Sequence, residues 1–137
     1  MPKICGIDLD KNEARLVVLD ERFEIIPTDI TRLALADPKS QTEVRAFQTA
    51  IQKFFDRYNI ESVAIRERLS KGRMKGGTIT FKLEGLIQTC RQPVTLISPA
   101  TIRKSLSTAN IDLPELPIAK HQQEAYAAAY CLMAMTM

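Results

Sequence analysis

"KICGIDLDKNEARLVVLD", residues 3–20, decides the fold. "KICGIDL" (3–9) and "ARLVVLD" (14–20) read as two strands, joined through the turn-forming Asp10, Lys11 and Asn12. "FEIIPTDITRLAL" (23–35) follows closely as a third strand, bent or bulged at Pro27, which has no N–H for a fully paired central position. Three consecutive strands with short links make an antiparallel meander.

Beyond them the apolar period changes from two to about 3.6. Ser40 and Glu43 form an S-x-x-E capping box, and Val44, Phe47, Ile51, Phe54 and Tyr58 follow at helical spacing, predicting a helix over 40–58. "SVAIRE" (62–67) is a fourth strand, Ile79, Leu83, Leu86, Ile87 and Cys90 mark a second helix, and "PVTLIS" (93–98) is a fifth strand. Ser98 and Pro99 supply a hydroxyl cap and a first-turn proline, which open a short third helix, "PATIRKSLS". "DLPELP" (112–117) is a connector no helix can run through, and the last helix spans 118–135 with Ile118, Ala125, Ala129 and Leu132 as its apolar stripe.

The order is βββαβαβα with one extra short helix, and the α-linked strands are expected to cross over right-handed. That is an α/β, ribonuclease H-like arrangement: a five-stranded mixed sheet, three strands as an antiparallel meander plus two parallel strands, flanked by helices. Residues 1–137 are expected to form one such domain.

Composition agrees with this reading. A chain of 137 residues buries roughly two-thirds of its unfolded surface and needs no metal or disulfide staple to fold. Cys5, Cys90 and Cys131 are odd in number, far apart and without C-x-x-C spacing, so they are expected to be buried packing residues. No apolar run reaches the eighteen or so residues that cross a bilayer, and a cytoplasmic location without membrane attachment is expected. The net charge of +3 does not by itself mark a nucleic-acid binder. Its distribution says more, because Arg66, Arg68, Lys71, Arg73 and Lys75 place five cations in ten residues, a segment suited to phosphate backbones. "SKGRMKGG" lacks the G-x-x-x-x-G-K-[ST] spacing of a nucleotide-binding P-loop.

Carboxylates define the candidate chemistry. Asp8 falls on a central strand that should be mostly buried, where an uncompensated carboxylate costs several kcal/mol. Gly6 beside it signals close approach of a backbone or ligand. Glu67 ends the fourth strand on the face of Val63 and Ile65. His121, the only histidine, and Glu124 lie three apart on the last helix and so share a face. These four groups converge only around a positive partner. Mg²⁺ or Mn²⁺ suits the oxygen-rich set, and two such ions about 4 Å apart would hydrolyse a phosphodiester. Asp10 and Lys120 adjoin these groups and are expected to support them.

"GIDL", a strand-end glutamate followed by a glycine-bearing loop and helix, "LISPATIRKSL" and "HQQEA" followed by alanines resemble the RuvC-type Holliday junction resolvases over nearly the whole chain. The resemblance implies a metal-dependent nuclease in which Asp8, Glu67, His121 and Glu124 bind the metals and junction DNA is the substrate. "VAIRERLSKGRMKGG", "FKLEG" and "LISPATIRKSL" look more closely like domain-of-unknown-function family 3010, whose name carries no activity. Three departures from the resolvase pattern stand out. Asp10 replaces the small residue that usually follows the first Asp, the glutamate comes one residue later relative to the isoleucine, and Glu124 replaces a final Asp.

Two other classes stay open. One is a degenerate ribonuclease H-like module that binds nucleic acid or a protein without cutting. The other is an actin-like or sugar-kinase phosphate-binding fold, which needs two large lobes. The apolar "YCLMAMTM" at 130–137 further leads us to expect a homodimer.

Overall fold

A computed structural model describes residues 2–67 and 77–136 of the chain. Its first hairpin pairs β1 (Lys3–Asp10) with β2 (Glu13–Asp20), antiparallel and in register from Lys3 opposite Asp20 to Asp10 opposite Glu13. The loop is therefore two residues long, and Lys11 takes the left-handed conformation at φ 56° that such tight turns require. Shortly after β2, the expected third strand is present as two short pieces, β3 (Ile25–Ile26) and β4 (Arg32–Ala34), both paired to β2. Pro27 stands at the break, where its missing N–H interrupts the ladder. The mixed sheet accordingly has six strands.

On the other side of β1 the pairing is parallel, through β5 (Ser62–Arg66) and then β6 (Val94–Ile97). The path across the sheet is β3-β2-β1-β5-β6, with β4 also beside β2. Helix α1 (Gln41–Arg57) begins where the capping motif predicts: Ser40 Oγ accepts the Glu43 N–H at 3.3 Å. Helix α2 is Gly77–Gln88, α3 is Pro99–Ala109 with Ser98 as its cap, and α4 is Gln123–Thr136 after a single 3₁₀ turn at Lys120–Gln122.

Strand alternation sorts the core into two clusters. Cys5, Ile7 and Leu9 of β1, with Val63 and Ile65 of β5, face Phe47, Ile51 and Phe55 of α1 and Leu83 and Ile87 of α2. Ile4 of β1, Val17 and Leu19 of β2, Ala64 of β5 and Ile97 of β6 face Ala125, Ala128, Ala129 and Leu132 of α4. The sheet is thus covered on both sides, and β1 lies at its centre with six consecutive residues buried.

Gly6 fixes how close α4 comes. A Cβ at this position would collide with the Ala125 carbonyl oxygen and sit 2.7 Å from the Ala129 Cβ. The close approach read from the sequence is therefore a backbone-to-helix contact. Of the apolar tail, Cys131, Leu132 and Met133 are buried in the α4 cluster, and Met135 is exposed. The three cysteines are all free and buried. No helix among the described residues is long and apolar enough to cross a membrane.

Candidate functional site

The end of the sheet at which β1 and β5 finish and α4 begins carries the candidate residues. Asp8 is buried at 6% exposure on the face that Gly6 presents to α4. Its antiparallel neighbour is Arg15 of β2, whose own neighbour is Arg32 of β4. On the parallel side Ile7 pairs with Ile65, so the next step sets Arg66 alongside Asp8. Arg66 in turn pairs with Ile97, a member of the α4 cluster, which confirms its face. One cross-strand row therefore reads Arg32, Arg15, Asp8, Arg66.

Glu124 of α4 meets this row through Arg66, with Oε1 3.3 Å from the guanidinium Nε. Arg15 donates from Nε to Glu13 Oε1 at 2.9 Å and from Nη2 to Asp10 Oδ2 at 2.8 Å. Arg32 Nη1 lies 3.9 Å from the same Glu13 oxygen. Burial disfavours the Arg15 cation, yet the Glu13 hydrogen bond and the charges of Asp10, Glu13 and Asp8 outweigh it and raise its pKa. His121 Nε2 is 3.0 Å from Thr31 Oγ1. Burial, then the positive charges of Arg32 and Arg15, lower its pKa from the ordinary 6.5, against the opposing pull of Glu13.

Glu67 is placed differently. It follows the last residue of β5, donating its N–H to the Ile97 carbonyl at 2.8 Å, and its parity is that of Val63 and Ile65, which face α1 and α2. Its charge acts there on Glu84 of α2, whose carboxyl is pushed up first by burial and then by Glu67. Although β1 and β5 are neighbours as the sequence predicts, Asp8 and Glu67 fall on opposite sides by alternation. The structure thus brings Asp8 and Glu124 to one face with Arg66, holds His121 near it against β4, and gives Glu67 to α2.

Several participants were not singled out by the sequence reading. Counting back from a two-residue turn would have set Arg15 opposite Asp8, and Glu84 flanks the buried Leu83 in "FKLEG". Arg32 and Thr31 depend on β4 pairing to β2, which has no local sequence signal. Arg68, Lys71, Arg73 and Lys75 lie outside the described residues.

By type, the carboxylates of Asp8, Glu67 and Glu124 suit a hard cation, and the His121 imidazole is tolerated better by Mn²⁺ than by Mg²⁺. As placed, they do not form a site for one: among the described residues, no three or more His, Cys, Asp or Glu side chains are grouped to hold a metal ion. Residues 68–76 contain none of these residue types. The disagreement comes from the geometry, with Glu124 held by Arg66, His121 by Thr31 and Glu67 on the strand parity of Val63 and Ile65, which face α1 and α2.

Sheet order and helix placement define a ribonuclease H-like fold of the resolvase type. Over its whole length the chain is similar to Thermus thermophilus RuvC solved with a Holliday junction substrate, with a TM-score of 0.77, 15% identity and 96% of that chain covered. A further structure of RuvC from the same organism matches with a TM-score of 0.71 and 16% identity over 98% of this chain and 96% of that one. Fowlpox virus resolvase with Holliday junction DNA matches at a TM-score of 0.52 and 12% identity, covering 98% of this chain and 99% of that one. No curated protein matches the sequence. The chain belongs to the DUF3010 family, described as a protein of unknown function, whose pattern matches residues 2–132.

Proposed function

We propose that this protein binds branched DNA at the sheet end formed by β1, β5 and the start of α4, and does so without metal-dependent cleavage. The observation that carries this reading is Arg66: it stands beside Asp8 in the parallel register and holds Glu124 at 3.3 Å, on the face where the resemblance would place metal ligands. A scaffold that matches a junction-bound resolvase along its whole length supports the choice of ligand. In sequence, Arg66 is followed by Arg68, Lys71, Arg73 and Lys75, and these five cations are the candidate set for phosphate contacts.

A second reading is a Mg²⁺- or Mn²⁺-dependent phosphodiesterase using Asp8, Glu67, His121 and Glu124, with Asp10 and Lys120 in support. One observation favours it: Asp8 is an acid kept 6% exposed at the centre of the sheet. It requires Glu67 and Glu124 to leave the surroundings described above.

A labelled panel of four-way junction, fork, duplex, single strand and RNA–DNA hybrid separates the two. Binding of the junction with no cleavage in Mg²⁺ or Mn²⁺ supports the first reading. Cleavage of one branched substrate by the parent and not by Asp8→Asn supports the second. Absence of binding to any nucleic acid removes both. We also propose a homodimer formed through the exposed end of α4 around Met135; a monomeric mass by light scattering at micromolar concentration overturns it.

A further inference from the structure

A divalent ion bound by carboxylates neutralises their repulsion and fixes their oxygens. On the α4 face of this sheet, the guanidinium groups of Arg15 and Arg66 are paired with carboxylates instead. Asp8, Asp10 and Glu13 come from the first hairpin and Glu124 from α4, four acids on one face. Arg15 is hydrogen-bonded to Glu13 at 2.9 Å and to Asp10 at 2.8 Å, and its charge is felt by Asp8. Arg66 takes Glu124 at 3.3 Å and is the parallel neighbour of Asp8.

We infer that Arg66, assisted by Arg15, is a fixed counter-ion that takes the place of a divalent metal at the end of β1 and bars Mg²⁺ or Mn²⁺ from Asp8 and Glu124. A guanidinium stays protonated at every accessible pH and cannot be removed by a chelator. Glu124 therefore has a counter-ion that no chelator removes, and a divalent ion seeking both Glu124 and Asp8 must compete with the positive charge of Arg66. The register explains how one position suffices. Side chains alternate faces along a strand, so a glutamate one residue late turns to the opposite side and leaves an arginine facing α4. Arg66 and Glu67 occupy those two places.

The test uses Mn²⁺ alone, without nucleic acid, so its failure is separate from any failure of the DNA-binding reading. Calorimetric titration and melting in EDTA or Mn²⁺ are compared for the full chain, Arg66→Glu and Arg66→Gln. The parent is expected to show no saturable heat at millimolar Mn²⁺ and the same Tm in both buffers. Arg66→Glu is expected to bind Mn²⁺ at least tenfold more tightly than the parent, to melt higher in Mn²⁺, and to lose the gain when Glu124→Gln is added. Should Arg66→Glu fail to fold, Arg66→Gln removes the cation without adding an acid, and a tenfold gain is expected there. Saturable micromolar binding by the parent, no gain in either variant, or a gain that survives Glu124→Gln overturns the inference.

Discussion

Gly6 shows how much one hydrogen in place of a methyl group decides. With the Ala125 carbonyl and the Ala129 Cβ closing on this position, a side chain has nowhere to go without moving α4 off the sheet. Gly6→Ala is expected to cost about 3 kcal/mol, at the upper end of overpacking penalties, read as a lower urea midpoint at unchanged slope. His121 gives a pH signature. Its folded pKa is lowered, chiefly by burial and then by Arg32 and Arg15, so the unfolded chain takes up the proton first. The stabilisation from this residue is complete above the ordinary histidine pKa and is lost as pH falls through the folded value. The His121 proton resonances are expected to titrate below the midpoint of an unfolded control; a midpoint at or above it contradicts the placement. Glu84 has the opposite sign. Its carboxyl is raised by burial and by Glu67, so the charged form is disfavoured at neutral pH. Glu84→Gln is expected to stabilise the protein at pH 7 and to change little in acid, where the carboxyl is already neutral. At this scale Asp8 was legible because a carboxylate inside an apolar strand is conspicuous. Its neighbours were not, since whether Arg66 or Glu67 turns toward Asp8 is decided by the β1–β5 register, and sequence alone does not supply that register.

Among the elements, local chemistry marks the ends better than the pairings. Ser98 accepts the Thr101 N–H at 3.2 Å and Pro99 sets the first turn, so α3 starts where its residues say it must. Ser98→Ala is expected to cost about 1 kcal/mol in chemical unfolding, the usual loss on removing a hydroxyl cap. At the far end Asn110 takes the left-handed conformation at φ 56°, a role open to asparagine and glycine. The capping box and apolar period of α1 were equally legible and bring Phe47, Ile51 and Phe54 into the core. Two boundaries were less so. The segment 23–35 reads as one bent strand, but Pro27 and the exposed turn after it divide the ladder into β3 and β4. Helix α4 starts later than its apolar pattern, because Pro117 and the 3₁₀ turn at Lys120–Gln122 come first, with Gln122 reaching back to the Leu16 carbonyl at 3.2 Å.

For the whole molecule, two helical layers on one sheet bury all three thiols. Burial pushes the Cys5, Cys90 and Cys131 pKa values up, which leaves little thiolate to react. Alkylation of the native protein is expected to be slow and to become complete on unfolding; rapid modification of the folded protein contradicts the packing. The same architecture aligns the chain with junction-bound resolvases at 12–15% identity, so what is shared is the frame. Its most direct test is fluorescence anisotropy in EDTA, comparing a four-way junction with a linear duplex of the same length and salt. Preferential, salt-sensitive binding of the junction that is unchanged by Mn²⁺ is the expected result. Equal binding of the two DNAs, or junction binding that appears only with Mn²⁺, contradicts a metal-independent junction binder.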